Sequence, residues 1–105
     1  MIADTIVAPA TAEGKAGLSV IRVSGNDSHK ICLKLTNSKI KFVDRLPTLS
    51  PVFLGESIID RALITFFKAP RSYTGEDVFE ISCHGSPVIV KSVLNTLCEF
   101  GARTA

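Results

Sequence analysis

Two charged side chains interrupt apolar segments of this 105-residue sequence and are the first candidates for chemistry. Arg22 lies inside the run Leu18-Ser-Val-Ile-Arg-Val23, and Glu80 lies inside Asp77-Val-Phe-Glu-Ile-Ser-Cys83. An isolated charge in a buried strand is costly to desolvate, so each side chain needs a partner. Either they reach water or form an internal ion pair, or they are held rigidly for a ligand.

The chemistry of these two groups indicates binding rather than catalysis. The Arg22 guanidinium is a fixed, planar fork of donors that suits an anionic or carbonyl group of a ligand. The Glu80 carboxylate could accept two parallel hydrogen bonds from an amino-pyrimidine edge, such as the exocyclic amine and ring N–H of a pterin. Strand alternation puts Glu80 opposite Phe79 and Ile81, so it faces a cleft or a partner if those two face the core. The same arrangement of Arg22 and Glu80 could serve both as an internal ion pair and as a ligand site.

Cys83 and His84 are adjacent, which raises the question of a nucleophile and its base. Neighbours on a strand point to opposite faces, and the sequence marks no carboxylate to orient the histidine. We therefore predict no catalytic residue here. The segment His84-Gly-Ser-Pro87 is interpreted as a tight turn from a strand into a helix, where free amide groups could hold an anionic ligand group.

The spacing of the cysteines and histidines predicts no metal site, because no pair has the separation of a zinc motif. Cys32, Cys83 and Cys98 are odd in number and lie in apolar surroundings, which favours reduced thiols acting as small apolar side chains. The Gly-Lys pair of Glu13-Gly-Lys-Ala-Gly17 lacks the phosphate-binding pattern G-x-x-x-x-G-K-[ST]. GTP hydrolysis by this segment is therefore not expected.

Composition indicates one compact domain: 46% of the residues are hydrophobic, 21% are charged, and the net charge is +2. This charge does not favour a strongly electrostatic partner. The densest basic run, Lys39-Ile-Lys41 with Arg45 nearby, is not interleaved with aromatic residues, although RNA binding stays open. Asp4 interrupts the apolar start, and no run approaches the roughly 20 apolar residues of a membrane span. We expect a cytoplasmic protein without a membrane partner.

The elements that must position these residues follow from apolar periodicity and turn residues. Two helices are predicted: one capped by Asn26 or Asp27 and running to about Leu35, and one that opens at Gly85-Ser86-Pro87 and ends near Gly101. Residues 37–50 are interpreted as a loop, as are Pro9 to Gly17. The predicted strands cover Thr5–Ala8, Leu18–Val23, Val52–Leu54, Ile59–Phe67 and Asp77–Cys83. The order β-β-α-β-β-β-α predicts an α+β fold with two helices on a mixed β-sheet.

Three ordered segments resemble the first domain of the MnmE (TrmE) family of tRNA-modifying GTPases. They are Asp4-Thr-Ile-Val-Ala8, the run Gly17 to Gly25, and Tyr73-Thr-Gly-Glu-Asp-Val-Phe-Glu80 followed by His84-Gly85. The resemblance spans nearly the whole chain. It implies that residues 1–105 form a single N-terminal tetrahydrofolate-binding and dimerisation domain, a fragment from which the helical and G domains are absent.

The resemblance also implies a function. In that family, a cytoplasmic GTPase acts with the flavoprotein MnmG to modify carbon 5 of the wobble uridine of certain tRNAs. Its N-terminal domain resembles the tetrahydrofolate-binding fold of the glycine-cleavage aminomethyltransferase GcvT, forms a homodimer, and binds 5-formyltetrahydrofolate or a related one-carbon tetrahydrofolate. Arg22 and Glu80 match the family's folate-contacting arginine and glutamate. GTP, Mg²⁺ and K⁺ are expected only in the absent G domain.

Two other interpretations remain open from the sequence. The domain could serve as a dimerisation scaffold with no ligand of its own, its strand faces and edges pairing across a two-fold axis. It could also be an unrelated small RNA-binding module, which predicts tRNA affinity that falls steeply with salt.

Overall fold

The computed structural model describes residues 5–10, 17–38 and 40–104. Most of the predicted loop between Pro9 and Gly17 lies outside these residues, as does Lys39 of the basic run. The elements are β1 (Ile6–Pro9), β2 (Leu18–Ser24), α1 (Ser28–Leu35), β3 (Thr48–Leu54), β4 (Ser57–Phe67), β5 (Val78–His84), α2 (Pro87–Glu99) and β6 (Arg103–Thr104).

The strands form one six-stranded sheet in the order β3-β4-β5-β2-β1-β6. All neighbouring strands are antiparallel except β1 and β6, which are parallel, so the predicted α+β class with a mixed sheet is confirmed. The predicted element order omitted β6. Two residues are too short for a periodic pattern, and β6 is held by long-range pairing, with the Arg103 N–H donating to the Thr5 carbonyl at 2.8 Å.

The predicted loop over residues 37–50 was too long, because β3 already begins at Thr48. Pro51 lies within this strand, which is possible because β3 is an edge strand with β4 as its one neighbour. β3 and β4 pair as an antiparallel hairpin. Gly55 at its turn has φ +62°, a conformation that costs glycine little.

One face of the sheet, here called the inner face, carries the core and both helices. Strand alternation directs the buried residues of β2, β4 and β5 to this face, except Val78, which is buried on the Glu80 side of β5. The helices bury the stripes that their spacing predicted. The core cluster includes Val7, Ile21, Val23, Ile64, Phe66, Phe79, Ile81 and Cys83 from the sheet, and Ile31, Cys32, Leu35, Val93 and Leu97 from the helices.

Aromatic rings fill the inner face near the start of α1. Phe79 stacks on Phe66 with ring centroids 4.6 Å apart and meets Phe42 edge-on at 4.9 Å. The His29 ring packs against the same rings, 5.5 Å from Phe79. Such offset and edge-on arrangements are favoured by the ring quadrupoles. Phe79 is fully buried, so the Phe79 side of β5 faces the core and the Glu80 side faces away from it.

The helix ends follow the prediction in position but not in capping chemistry. Asp27 is the N-cap residue of α1, yet its side chain makes no capping hydrogen bond. Its φ and ψ of −96° and 4° differ from the extended backbone that aligns a capping oxygen with the first amide groups. Ser86, the N-cap residue of α2, also makes no side-chain capping hydrogen bond, and Pro87 begins the helix at the predicted opening. Gly101 follows α2 with φ +117°.

The opposite face, here called the outer face, is not covered by α1 or α2. Ala8, Arg22, Glu80 and Thr65 lie in register on β1, β2, β5 and β4, so they form one row across its centre. No helix in the described part of the chain is long and apolar enough to cross a membrane.

Candidate functional site

Arg22 and Glu80 meet at the centre of the outer face. They are directly paired across β2 and β5, and Arg22 Nε donates to Glu80 Oε2 at 2.9 Å. The side chains are 41% and 21% exposed, respectively. The structure thus brings both predicted site residues together, and each is the partner that the other's position in an apolar strand required.

The ion pair leaves part of each group available. Within the described residues, the two terminal nitrogens of Arg22 and Oε1 of Glu80 make no hydrogen bond. A carboxylate oxygen can also accept a second hydrogen bond beside the one it already has. A planar ligand could therefore donate hydrogen bonds to Glu80 and accept a hydrogen bond from Arg22 without breaking the ion pair.

Tyr73 packs on the Arg22 guanidinium and fixes its plane. The Arg22 Cζ lies 4.2 Å from the centroid of the Tyr73 ring, within the range of a cation–π contact. Phe67 supports the tyrosine edge-on at a centroid distance of 5.4 Å. The sequence analysis missed this role of Tyr73, although the residue opens the third family segment. Arg22 is held by Glu80 on one side and an aromatic ring on another.

Loop 68–77, between β4 and β5, brings Tyr73 to the outer face. The hydroxyl groups of Ser24 and Thr74 are 2.7 Å apart and join the loop to β2. At the end of the loop, the Asp77 carboxylate accepts a hydrogen bond from the Ala69 N–H at 2.9 Å. Asp77 thus closes the loop at its entry into β5. The loop therefore folds back over the start of β5, next to Glu80.

A second polar pair at the far end of β5 was missed by the sequence analysis. Asp60 accepts hydrogen bonds from the His84 backbone N–H at 2.9 Å and pairs with the ring Nδ1 at 2.8 Å. The Asp60 side chain is 9% exposed, whereas that of His84 is 65% exposed. Burial alone would raise the pKa of Asp60, but hydrogen bonds from His84 and from the Arg61 backbone together outweigh it and lower that pKa. Asp60 and His84 are 24 positions apart and meet only because β4 pairs with β5. The sequence signal that could have indicated this pair was an aspartate within a largely apolar strand.

Cys83 and His84 do not form a catalytic dyad. The Cys83 thiol points to the inner face, where Sγ contacts the Ser19 carbonyl at 3.7 Å, and burial raises the pKa of the thiol. The His84 ring instead pairs with Asp60. The prediction that strand alternation separates the two side chains is confirmed.

The family model described as "GTP-binding protein TrmE N-terminus" matches residues 5–105. The chain belongs to this family. It is 43% identical over 102 residues to the tRNA modification GTPase MnmE of Francisella philomiragia subsp. philomiragia. The matched region covers 97% of this chain and 22% of that protein. It is also 47% identical to the tRNA modification GTPase MnmE of Francisella tularensis subsp. tularensis strain SCHU S4, and the matched region again has 102 residues and covers 97% of this chain and 22% of that protein. The chain thus spans about a fifth of the length of these relatives.

Membership of the TrmE N-terminal family confirms the resemblance stated from the sequence. Two of the segments that carried the resemblance converge on the same place. The segment from Gly17 to Gly25 supplies Arg22, and the segment from Tyr73 to Glu80 supplies its partner and its aromatic support.

Proposed function

We propose that this chain is the tetrahydrofolate-binding and homodimerisation domain of a tRNA-modifying GTPase, with the GcvT-like fold. Family membership supports the setting, because the similar proteins are named tRNA modification GTPases. The observation that carries the ligand proposal is the Arg22–Glu80 pair on the outer face, whose terminal guanidinium nitrogens and Oε1 make no hydrogen bond to the described residues.

The proposed ligand is 5-formyltetrahydrofolate or a related one-carbon tetrahydrofolate. Its pterin ring presents an exocyclic amine, a ring N–H and a carbonyl along one edge. The two donors match the Glu80 carboxylate and the carbonyl matches the Arg22 guanidinium, so one edge engages both members of the pair. The chain's residues bind and orient this ring, and no catalytic step is assigned to them.

The test is calorimetric titration of 5-formyltetrahydrofolate into the wild-type chain and its Glu80→Gln variant. Glutamine keeps the shape of the side chain but replaces a charged acceptor with an amide that presents hydrogen atoms to the ligand's donors. Loss of charge-assisted hydrogen bonds predicts an affinity about tenfold to hundredfold weaker. Glu56→Gln is the matched control, because Glu56 is exposed in the turn between β3 and β4. Equal affinity of the Glu80→Gln variant and the wild type would remove Glu80 from the site.

Homodimerisation is supported by leucine side chains on the outer face. Leu49 and Leu63 are paired across β3 and β4, and they are 67% and 42% exposed. Leu18, towards the same end of β2, is 59% exposed. Burial of such side chains against a second copy would contribute about 25 cal/mol per Å² of apolar surface. The proposed dimer interface therefore lies beside the Arg22–Glu80 pair.

Sedimentation equilibrium of Leu63→Lys tests the interface. We expect this variant to be monomeric at concentrations where the wild type is dimeric, because a lysine would be desolvated between the two copies. Val88→Lys is the matched control, since Val88 is 74% exposed on α2, against the other side of the sheet. A wild type that stays monomeric at high concentration, or a Leu63→Lys variant that still dimerises, would contradict this interface. A dimer that binds no folate would favour the scaffold function instead.

The activity of a whole protein of this kind is also a proposal. With MnmG, it would modify carbon 5 of the wobble uridine of certain tRNAs in the cytoplasm. GTP, Mg²⁺ and K⁺ would be bound by other parts of such a protein, since the sequence of this chain carries no phosphate-binding GTPase motif.

A further inference from the structure

A short segment before β3, residues 43–46, contacts loop 68–77. The Asp44 carboxylate accepts a hydrogen bond from the Lys68 N–H at 2.8 Å, and the Arg45 guanidinium donates to the Arg71 carbonyl. These contacts join residues that are 24 and 26 positions apart in the chain. The segment therefore binds the first half of the loop at two backbone groups.

Arg45 has an unusual backbone conformation. Its φ is +61°, in the left-handed region that residues other than glycine rarely adopt. The other described non-glycine residues with positive φ, Asn37 and Ser38, come directly after the C-cap of α1, where this conformation is common. Arg45 follows no helix, so its conformation must be imposed by contacts with the rest of the protein.

Contacts with β4 and with Asp44 impose this conformation. The Arg45 N–H donates to the Phe66 carbonyl at 2.7 Å, beside an isolated bridge between Asp44 and Phe66. Arg45 Nη1 donates to both Asp44 oxygens at 3.0 and 3.1 Å, and its Cζ lies 5.6 Å from the centroid of the Phe67 ring. The hydrogen bond from the Lys68 backbone lowers the pKa of Asp44, which favours the charged acceptor. The guanidinium is therefore directed across the end of β4 towards the loop.

The same loop carries the aromatic ring that covers Arg22. Tyr73 comes two positions after the carbonyl that Arg45 binds, and its ring packs on the Arg22 guanidinium at 4.2 Å. Tyr73 is 62% exposed, so burial contributes little to fixing its ring. The Thr74 hydroxyl holds the loop on the other side of Tyr73. The position of the ring therefore depends on the polar contacts that hold the loop on its two sides.

We propose that Asp44 and Arg45 are positioning residues for the Arg22–Glu80 pair. They hold loop 68–77 so that Tyr73 stays on the Arg22 guanidinium, and they act on the ligand through that ring. The inference rests on the proposed function and deepens it, because it adds two residues that prepare the site without forming its hydrogen bonds to the pterin edge. Without them, the guanidinium would have to be ordered when the ligand binds, which weakens affinity.

Tyr73 provides a spectroscopic test without any ligand. It is the only tyrosine, and the chain has no tryptophan, so its fluorescence reports on the loop alone. We expect Asp44→Ala and Arg45→Gln to lower the fluorescence anisotropy of Tyr73, because its ring gains local motion. The Arg22 Nε–H resonance of the ¹⁵N-labelled chain should also shift, because its proton loses the ring current of the tyrosine.

The variants and their controls are matched in charge and exposure. The Asp44 and Arg45 side chains are both 43% exposed, so their replacement leaves the core intact. Glu56→Ala removes an exposed negative charge from the turn between β3 and β4, and Lys91→Gln removes an exposed positive charge from α2. Neither control should change the anisotropy of Tyr73 or the Arg22 resonance.

Calorimetric titration of 5-formyltetrahydrofolate measures the effect on binding. Arg45→Gln should weaken the affinity by about two- to fivefold, as the loss of an exposed polar contact does. In a Tyr73→Leu background the same substitution should have no further effect, because the ring through which Arg45 acts is absent. The two control variants should bind as the wild type does.

The results separate this inference from the proposed function. An unchanged Tyr73 anisotropy in both variants would overturn the inference whether or not folate binds. A lowered anisotropy with unchanged affinity would overturn the positioning role and leave the folate function standing. Equal weakening by Arg45→Gln with and without the Tyr73 ring would overturn it in favour of direct contact with the ligand. If the wild type binds no folate, the proposed function fails, and the role of the two residues in binding fails with it.

Discussion

Replacing Asp60 by asparagine should destabilise the fold and remove a pH-dependent part of its stability. The Asp60 carboxylate is almost fully buried and accepts two hydrogen bonds from His84, one from the backbone N–H and one from the ring. Asparagine has nearly the same shape but one acceptor, and its amide hydrogens would face one of these donors. Hydrogen bonds to a charged group contribute about 1.5–3 kcal/mol, so a loss of that order is expected at neutral pH.

The sign of the pH dependence follows from the lowered pKa of Asp60. Burial opposes ionisation, but the hydrogen bonds from His84 and from the Arg61 backbone together outweigh it, so the folded-state pKa lies below the ordinary value of about 3.9. A carboxyl group with a depressed folded-state pKa stabilises the protein above its unfolded-state pKa, and this contribution is lost as the pH falls through the folded-state pKa. The difference between wild type and Asp60→Asn should therefore be constant near neutral pH and shrink below about pH 4.

Urea unfolding followed by circular dichroism at a series of pH values measures this difference. At neutral pH, the midpoint of Asp60→Asn should fall by roughly 1 M urea, given the slope typical of small proteins. Asp27→Asn is the matched control, because Asp27 is exposed and makes no capping hydrogen bond, so its free energy of unfolding should change by less than about 0.5 kcal/mol. A deficit for Asp60→Asn that stays constant down to the most acidic pH tested would refute the role of the charge.

Two further predictions concern the site and the thiols. Tyr73→Leu should weaken 5-formyltetrahydrofolate binding by about two- to fivefold, because it removes a cation–π contact of about 0.5–1 kcal/mol, while Tyr73→Phe should bind as the wild type does; calorimetry on both variants measures this. Under native conditions Cys98, which is partly exposed, should react with a thiol reagent before Cys32 and Cys83, because burial raises the pKa of both these thiols; mass spectrometry of the labelled peptides identifies the order.

The core and the position of the candidate pair could be predicted because both depend on local periodicity. The stripe of Ile31, Cys32 and Leu35 follows from helical spacing, and the alternation of Phe79 and Glu80 follows from the strand. An arginine in an apolar strand must have a partner, and Glu80, an acidic residue within another such strand, was the partner considered. The cost of desolvating a charge therefore indicated the Arg22–Glu80 contact, which local periodicity alone does not specify.

The rest depended on contacts between distant segments. The aspartate–histidine pair requires the register of β4 against β5, which the sequence does not specify residue by residue. β6 is a strand only because it lies beside β1. The start of β3 was missed because Pro47 and Pro51 flank it and predict a loop, although an edge strand tolerates Pro51.

The segment from Tyr73 to Glu80 can now be explained residue by residue. Gly75 has φ +82°, which allows the loop to reverse between Tyr73 and β5. Thr74 is bonded to β2 through the Ser24 hydroxyl, so the loop cannot leave the outer face without breaking that contact.

This arrangement couples loop 68–77 to the Arg22–Glu80 pair. Tyr73 packs on the guanidinium that Glu80 binds, and both residues belong to the same eight-residue segment, on either side of the Asp77 anchor. A shift of the loop would therefore change the plane of the Arg22 fork, and a ligand bound to that fork would hold the loop in place.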